Sequence, residues 1–588
     1  MQDVSQQVSR LLLPAVRQPG QYLGLETNAR RGDVESAGVA VVLAFPDAYT
    51  IGISHLGSQI LYHVVNDLPG AACDRTYCPL PDAEAVMRRR GIRLFGWESR
   101  RAVADFDVLG FSLGYELCVT NVLTMLDLAG IPLHARQRTA RHPLVVAGDA
   151  LADTPEPMAD FIDLFLIGDG ERILADLVEL VGRMKREGAS RDEMILEAAR
   201  TGPSTYAPRF YRPARGAGAV EPIRDGVPAV VEHAHLPSLA DSPLTTRPLV
   251  PLVEGVHERV VLEIMRGCPN ACRFCQAGAV RLPVRTRSVD ELVAAAVEAI
   301  GATGFREVSL LSLSTSDYPH LEELIGRLDA ELTPRRVSIS LPSLRVGSQL
   351  KLLPKLTSTV RKGGLTIAAE AGSQRLRQAM RKRITEADMI DGVRAAFQAG
   401  WRSVKVYFMA GLPGETDADV EAIFALCRRL SETRRDVDAR PGAISASVSW
   451  FVPKPHTPLQ WCAMREADYL LDVRRRLLDM SRRSPVHFKF HRVERSILEA
   501  VIARGDRAVG RAIDAAWANG ARLDAWNEHW DWDKWSAAFD AAGIEPAAYA
   551  HRELPTDAPL PWSHVACPRS ERSLLAQYRR MTEALDHP

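Results

Sequence analysis

The sequence contains no long uninterrupted hydrophobic run and no excess of charge of either sign. Within its 588 residues no apolar stretch approaches the roughly 20 residues that cross a bilayer. Lys plus Arg and Asp plus Glu both number 73, so no global field favours a nucleic acid or a membrane surface. The first residues, Met-Gln-Asp-Val-Ser, also lack the basic segment that opens a secretion signal. We therefore expect a cytoplasmic globular protein.

Cysteine is scarce, and only Cys268, Cys272 and Cys275 stand close together. The remaining cysteines are spread along the chain: Cys73, Cys78, Cys118, Cys427, Cys462 and Cys567. This distribution does not build a disulfide framework and is typical of a reducing compartment. No fourth cysteine or histidine lies next to the central three, which disfavours a zinc site, since zinc takes four ligands.

The three central cysteines form a C-x3-C-x2-C motif directly after an apolar segment, residues 260–265, that predicts a buried strand. A [4Fe-4S] cluster usually takes four thiolates. Three thiolates leave one iron open for a chelating ligand such as the amine and carboxylate of S-adenosylmethionine (SAM). The spacing, with the aromatic Phe274 before the last cysteine, resembles the radical SAM superfamily. That resemblance implies a [4Fe-4S] cluster, bound SAM and its cleavage to a 5′-deoxyadenosyl radical.

Short apolar strands alternate with helical segments in the first third of the chain. Such alternation favours a parallel sheet covered on both faces, with ligands at the carboxyl ends of its strands. The predicted strands are residues 38–45, 108–113, 144–148 and 164–168. Ser112 and Gly148 fall at strand ends, in loops that resemble the cobalamin-binding domain preceding many radical SAM domains. The resemblance implies that these two residues contact cobalamin.

The resemblance to cobalamin-binding domains is incomplete in two places. Domains that ligate cobalt through the protein carry Asp-x-His-x-x-Gly, but here the segment around His55 lacks the Asp and has Gly57 one place early. Gly148 and Asp149 also replace the usual Gly-Gly, and a side chain there could crowd a corrin. Two interpretations stay open. The domain binds cobalamin without a ligand from His55, or it is a Rossmann-like scaffold that keeps the fold without the cofactor.

Six further strand–helix units are predicted in the centre of the chain, which suggests a partial (β/α)6 TIM-type barrel with chemistry at the carboxyl ends of its strands. The predicted strands are residues 260–265, 307–313, 337–341, 365–369, 404–410 and 446–452. The fold class is therefore α/β: a doubly wound domain, a partial barrel and a mostly helical end. We set the boundaries at 36–200 for the cobalamin-binding-like domain, 201–245 for a linker, 246–483 for the barrel and 484–588 for a helical, tryptophan-rich region.

Polar residues follow the second, third and fourth barrel strands and match radical SAM motifs. Ser312 and Ser314 stand where relatives approach the SAM amino group. Arg345 is placed to pair with the SAM carboxylate or a substrate anion. Glu370 and Ser373 belong to a Glu-x-Gly-Ser turn whose polar groups reach the SAM ribose and carboxylate. The alternatives are helix caps for the hydroxyl groups and a surface ion pair for Arg345.

Two more turns complete the barrel mouth. Gly411, in Gly-Leu-Pro-Gly-Glu-Thr, resembles the superfamily turn that lines the adenine. Lys454 and His456 follow the sixth strand as candidate substrate contacts, and a buried hydrogen-bonded histidine is an equally open interpretation for His456. No catalytic residue acting on the substrate can be assigned.

The last hundred residues combine a basic segment with a cluster of tryptophans. Lys and Arg outnumber Asp and Glu between residues 470 and 511, which favours a solvated helix face or, less often, a phosphate or nucleic-acid surface. The tryptophans are Trp517, Trp526, Trp530, Trp532 and Trp535. They could line a substrate channel, stack bases or fill a small helical core.

About residues 36 to 570 resemble one family, cytoplasmic radical SAM proteins with an N-terminal cobalamin-binding-like region and no assigned substrate. The resemblance is carried by residues 53–62, 110–123, 310–318, 339–345, 451–458 and 503–507. It implies an enzyme supplied with electrons by a reductase or a flavodoxin-type donor. A more specific interpretation of the same enzyme is a cobalamin-dependent methyltransferase. The alternative from another class is an RNA- or ribosome-binding modification factor with the same cluster.

Overall fold

A parallel sheet organises the first domain in this computed structural model, which describes residues 1–214, 218–341 and 365–586. The strand order is β2-β1-β3-β4-β5-β6, and only β6 runs antiparallel to its neighbour. The strands are β1 Val39–Phe45, β2 Ala71–Tyr77, β3 Val108–Ser112, β4 Leu144–Gly148, β5 Leu164–Leu166 and β6 Thr205–Tyr206. The doubly wound topology predicted for this part is confirmed.

Helices cover both faces of this sheet. They are α1 Ser5–Gln7, α2 Tyr49–Gly52, α3 Leu56–Asp67, α4 Pro81–Arg90, α5 Val119–Ala129, α6 Gly170–Arg186 and α7 Arg191–Thr201. The sequence fixes their ends locally: Pro81 opens α4 at the position where a missing N–H costs nothing, and Gly91 ends it in the left-handed conformation. In α6, Leu174, Leu177 and Val181 form the buried stripe against the sheet.

Strand β2 was not predicted, because its sequence carries buried charge. Arg75 lies inside the domain and pairs with Glu26 at 3.0 Å and with Glu98 at 2.5 Å. All three side chains are at most 4% exposed. Burial raises the pKa of Glu98, although the Arg75 guanidinium opposes that rise. A search for apolar periodicity does not detect such a strand, because its buried positions carry charged side chains whose ion-pair partners lie far away in the sequence.

Two parallel sheets form the barrel: β13-β12-β9 and β14-β15-β16-β17. Their strands are β9 Val260–Glu263, β12 Glu307–Leu311, β13 Ser338–Ser340, β14 Leu365–Glu370, β15 Ser403–Ala410, β16 Ala443–Trp450 and β17 Val486–Phe490. Two small antiparallel pairs accompany them, β7 Tyr211–Pro213 with β8 Val220–Pro222 and β10 Met265–Arg266 with β11 Arg285–Thr286. The six predicted strands are confirmed, and β17 is an additional one.

Helices alternate with the barrel strands and make up most of the chain beyond β17. They are α8 Gln276–Val280, α9 Val289–Thr303, α10 Leu321–Leu332, α11 Gln374–Ala379, α12 Glu386–Gln398, α13 Asp417–Glu432, α14 Arg435–Asp438, α15 Ala467–Met480, α16 Val493–Ala503, α17 Val509–Ala518, α18 Trp532–Ala542, α19 Pro546–Ala550 and α20 Glu571–Asp586. In the described parts of the chain, no helix is both long and apolar enough to span a membrane.

The tryptophan-rich segment packs against the first domain. Trp535 is fully buried, and its indole N–H donates to Asp524, which also accepts a hydrogen bond from Thr120 of α5. Trp526 donates to Asp47 just beyond β1, and Trp517 donates to Thr124. The tryptophans therefore fill a core between the C-terminal helices and the first sheet, rather than forming a free stacking surface.

The basic segment is also engaged with the protein. Arg504 donates to the carbonyl oxygens of Ala550 and Arg552, and Arg507 pairs with Glu156 at 3.0 Å. Two of the arginines that suggested a nucleic-acid surface are therefore occupied within the protein.

Acidic loops at the carboxyl edge of the first sheet meet basic residues of the barrel mouth. Arg266 pairs with Asp169 at 3.0 Å and with Glu171 at 2.8 Å. Arg281, just beyond α8, pairs with Asp149 at 3.2 Å. Burial alone would raise the pKa of Asp169, but the neighbouring arginines and a backbone N–H outweigh it and lower that pKa. This junction fixes the first domain over the barrel.

Three buried histidines from distant segments lie at the same junction. His456 reaches the Asp153 carbonyl oxygen at 2.8 Å, and His233 lies 3.3 Å from the Asp153 carboxylate. His564 is 3.8 Å from Glu156. Burial lowers the pKa of His456, and it lowers the pKa of His564 to about 3. His456 and His564 are therefore neutral at this interface at pH 7.

Truncating Trp535 tests whether the tryptophan segment is structural. Trp535→Ala leaves a cavity and removes the indole donor to Asp524 Oδ1, so we expect a loss of about 3–5 kcal/mol of stability. The loss should appear as a lower midpoint in thermal unfolding followed by circular dichroism. Trp530→Ala, at a partly exposed position, is the matched control and should lower the midpoint much less. Equal, small effects of both changes would contradict a core role for Trp535.

Acid should weaken the junction through His564. Because its pKa is lower in the folded protein than in the unfolded chain, the unfolded chain takes up the proton first as pH falls below about 6.5. Stability from this group is present at neutral pH and declines by about 2 kcal/mol between pH 7 and pH 5. Denaturant midpoints across that range should fall less steeply in His564→Gln. The exposed His487→Gln should keep the wild-type slope; an unchanged slope in His564→Gln would refute the assignment.

Candidate active site

The loop carrying the three cysteines leaves the barrel at the carboxyl end of β9 and β10. Gly267 adopts a positive φ of 87°, and a Cβ there would lie 2.7 Å from the Arg281 carbonyl oxygen and 2.9 Å from that of Pro283. Only glycine fits this close approach of two backbone segments. Ala271 also has a positive φ, of 53°, which turns the loop back on itself. These two positions bend the chain between β10 and α8.

The three thiols are free, half-buried and close enough to influence one another. Burial raises the pKa of Cys272 to about 11; Lys382 lowers it, and Cys275 and Cys268 raise it. Burial likewise raises the pKa of Cys275. The hydrogen bond from the Gly278 N–H opposes that rise, and Cys268 adds to it. Without a metal, the thiols of Cys272 and Cys275 are protonated at neutral pH, so loading a cluster must release protons.

Two of the sulfur atoms accept hydrogen bonds. The Asn270 side-chain amide lies 3.4 Å from Cys268 Sγ, and the Gly278 backbone N–H lies 3.3 Å from Cys275 Sγ. Within the described residues, no three His, Cys, Asp or Glu side chains converge on a point that suits a single metal ion. A cluster differs, because each thiolate takes a separate iron. Three thiols, two of them with N–H donors to sulfur, therefore fit a [4Fe-4S] cluster.

The loop after β12 is tied directly to the cysteine loop. Asn270 donates to Asp317 at 2.6 Å, and Ser314 donates to the same carboxylate at 2.6 Å. Ser312 lies 3.1 Å from the hydroxyl of Thr315. The predicted Ser314 is thus next to the cysteine loop, and Asp317, which sequence reasoning did not single out, links the two.

Glu370 ends β14 beside the cysteines. It has a positive φ of 68°, unusual for a residue with a side chain, and its carboxylate lies 3.3 Å from the Lys382 ammonium. Both groups influence the pKa of Cys272. Strained backbone of this kind is found where the surrounding structure holds a functional group in place. Glu370 and Lys382 therefore form a charged pair next to the predicted cluster.

Ser373 serves as the cap of α11. Its hydroxyl accepts a hydrogen bond from the Leu376 N–H at 3.3 Å and donates to Asp419. Asp419 also accepts from Thr416 and pairs with Arg375. The structural alternative raised for Ser373 is therefore present, and a contact with SAM stays a prediction.

Gly411 follows β15 with a positive φ of 84°, and a Cβ there would lie 2.9 Å from Leu470. Its N–H donates to Glu415 at 2.7 Å, and the hydroxyl of Tyr469 donates to the same oxygen at 2.8 Å. Burial raises the pKa of Glu415, and these donors oppose the rise. The buried Glu415 anchors the turn. Sequence analysis missed it because, within this motif, it assigned a role only to Gly411.

An apolar layer covers the cysteine loop. Phe274 packs in a cluster with Leu412, Phe451, Met581 and Leu585. The last two belong to α20, whose Gln577 also lies 3.4 Å from the Arg273 guanidinium. The sequence does not predict that α20 packs on this loop, because an amphipathic pattern shows which face of a helix is buried but not which element covers it.

Ser112 and Gly148 lie at adjacent strand ends of the first sheet, facing the barrel. Ser112 is 3.1 Å from the Ser58 hydroxyl, which in turn lies 2.8 Å from His55 Nδ1. His55 Nε2 faces the Asp149 carboxylate at 3.5 Å. Burial lowers the pKa of His55, which Asp149 opposes.

Other predicted contacts are already satisfied within the protein. Lys454 pairs with Glu116 at 2.5 Å and with Glu499 at 2.8 Å; burial disfavours its charge, but the two carboxylates raise its pKa. His456 is the buried hydrogen-bonded histidine of the alternative interpretation. Arg345 lies outside the described residues.

Comparison with known proteins supports what the site suggests. Residues 57–208 match the N-terminal domain of radical SAM proteins, and residues 262–427 match the radical SAM superfamily. An uncharacterized protein of Methanocaldococcus jannaschii is 26% identical over 86% of this chain and 97% of its own length. A ribosomal-protein methylthiotransferase of Paramagnetospirillum magneticum is 26% identical over 33% of this chain, and the match spans 47% of that protein.

The radical SAM methyltransferase TsrM of Kitasatospora setae, with cobalamin and a [4Fe-4S] cluster bound, is 15% identical, with a TM-score of 0.49. The similarity covers 93% of this chain and 99% of that one.

The two family matches together span more than half of the chain and contain the C-x3-C-x2-C loop. The chain belongs to the radical SAM superfamily, whose members are enzymes that use SAM and a [4Fe-4S] cluster.

Proposed function

We propose that Cys268, Cys272 and Cys275 hold a [4Fe-4S] cluster and that this enzyme cleaves SAM reductively. The observation that carries the proposal is the gathering of three half-buried thiols on one loop at the barrel mouth, with Glu370 and Lys382 beside Cys272. When bound, the cluster supplies one electron to the SAM sulfonium, which yields methionine and a 5′-deoxyadenosyl radical.

The protein's own residues divide the work of binding and shielding. Asn270 and the Gly278 N–H hold two sulfur atoms through hydrogen bonds. Gly411, free of a side chain, lets a ligand approach the backbone at the end of β15. Phe274 and α20 exclude water from one side of the loop. Ser312 and Ser314 follow β12, and Glu370 ends β14; all three would bind the polar groups of SAM.

The reaction needs an external electron source. A reductase or a flavodoxin-type protein would supply it, and an oxygen-sensitive cluster suits a cytoplasmic location.

Removing the three thiols tests the proposal. The triple variant Cys268→Ala, Cys272→Ala, Cys275→Ala should lose its iron and produce no 5′-deoxyadenosine from SAM with dithionite under anaerobic conditions. Iron assay and chromatography of the nucleosides measure this. A matched triple variant at Cys73, Cys118 and Cys427 removes buried thiols elsewhere and should keep both properties. If the wild type made only S-adenosylhomocysteine under any reductant, the enzyme would instead transfer methyl groups by a polar route.

A sharper form of the proposal is a cobalamin-dependent methyltransferase. One observation favours it: Ser112 and Gly148 lie at adjacent carboxyl ends of a doubly wound sheet, on the side that faces the cysteine loop. Ser58 N–H already donates to His55 Nδ1 at 3.2 Å, and His55 Nε2 faces Asp149, so a cobalt ligand from His55 has no support. When bound, cobalamin would supply the carrier of the methyl group.

Cobalamin binding without a ligand from His55 has a spectroscopic signature. In cob(II)alamin reconstituted with the protein, electron paramagnetic resonance should show no nitrogen splitting that depends on His55, and His55→Ala should leave the spectrum unchanged. A nitrogen triplet that disappears in His55→Ala would contradict this assignment. A corrin concentration of about 100 μM is a generous excess for micromolar cofactor sites. If no corrin binds at that concentration, the domain is a scaffold and the proposal of a cobalamin-dependent methyltransferase is wrong.

An RNA- or ribosome-binding modification factor is the alternative. A tRNA-2-methylthio-N(6)-dimethylallyladenosine synthase of Sorangium cellulosum is 28% identical, but the match spans 28% of this chain and 38% of that protein. The engaged arginines and tryptophans of the C-terminal region give this alternative little support.

A further inference from the structure

The sheet of β14 to β17 has two different faces. One is apolar and covered by helices, with Val404, Val406 and Phe408 of β15 buried in the core. The other face, which in a (β/α) barrel points inward, carries Lys405 and Tyr407 from the same strand. Barrel interiors are usually filled by branched apolar side chains. Here Tyr407 is 45% exposed, so the inner face is open.

Strand register places the inner residues in rows. Tyr407 pairs with Ser447 of β16, which pairs with Lys489 of β17. One row toward the amino ends, Lys405 pairs with Ser445, which pairs with His487. Neighbouring strands lie about 4.8 Å apart, so each row spans about 10 Å. We call Lys405, Tyr407, Ser447 and Lys489 the inner cationic surface.

The carboxylates on the inner side of the barrel are already paired. Glu263 pairs with Arg266 at 2.9 Å and Glu370 with Lys382 at 3.3 Å. Glu307 pairs with Arg259 at 3.3 Å. By contrast, Lys405 and Lys489 have no ion-pair partner among residues 1–214, 218–341 and 365–586. The inner face therefore presents two uncompensated positive charges with hydroxyl groups between them.

We propose that the inner cationic surface binds a phosphate-bearing group of the enzyme's substrate. Two lysine ammonium groups and the hydroxyls of Ser447 and Tyr407 supply the donors that phosphate oxygens accept. The inference rests on the proposed function, since it gives the substrate of that same barrel an anionic group.

This surface is separate from the residues assigned to SAM. Tyr407 lies three residues before the end of β15, about 10 Å along the strand from the carboxyl ends where Glu370 and Gly411 lie. A substrate anchored there by its phosphate would extend toward the cysteine loop. Changing the lysines should therefore disturb substrate binding and leave SAM cleavage intact.

Inorganic tripolyphosphate is a suitable probe, measured by isothermal titration calorimetry on the full chain at low and at physiological salt. We expect binding that weakens with salt. The double variant Lys405→Ala, Lys489→Ala should weaken it at least about tenfold, since each charge-assisted contact is worth that much. Lys405→Arg, Lys489→Arg should retain most of it. The matched control Lys185→Ala, Lys534→Ala, which removes two lysines outside the barrel interior, should bind as the wild type does.

Basal 5′-deoxyadenosine formation, without substrate, is measured in the same proteins. It should be equal in the wild type and in the double alanine variant. If the wild type binds tripolyphosphate through the two lysines but never cleaves SAM, the proposed function is wrong and the anion site is still supported. No binding by the wild type, or equal binding by the alanine variant, would overturn the site itself. Displacement of the probe by a short single-stranded RNA, at far lower concentration than by a mononucleotide, would support the site and assign its phosphate to nucleic acid.

Discussion

Ion pairs between the first sheet and the barrel mouth hold the candidate site together. Asp149 and Asp169 come from loops after β4 and β5, and Glu171 lies in the first turn of α6. They meet Arg281 and Arg266, which flank the cysteine loop. Breaking a buried pair by removing one partner typically costs about 3–5 kcal/mol, because a charge is left without compensation. The position of the cysteine loop therefore depends on a domain that contributes none of its thiols.

The sequence predicts the repeating units of both domains because their strands bury apolar residues at regular intervals. It fails at β2, where Arg75 is buried with Glu26 and Glu98, and at β17, where His487 and Lys489 alternate with half-buried Phe488. In both strands, charged or polar side chains interrupt the apolar pattern by which strands are recognised in a sequence. The partners of Arg75 are distant in sequence, so no local signal identifies them.

The site shows the same division between local and distant information. Cys268, Cys272 and Cys275 are recognisable because one loop carries all three, and the turns at Glu370 and Gly411 are recognisable from their glycines. Asn270, Asp317 and Glu415 matter through contacts to other loops, and only the folded chain reveals them. Lys454 and His456 were proposed for substrate, yet each is satisfied by the protein, because a charged or aromatic residue at a barrel mouth can equally join two domains.

The return of α20 to the cysteine loop has a consequence for how the enzyme matures. Met581 and Leu585 pack with Phe274, and Gln577 lies near Arg273, so a helix about 300 residues further along the chain closes over the loop. Iron and sulfide must be delivered before this helix settles, or the helix must lift to admit them. Assembly of the cofactor is thus coupled to the docking of α20.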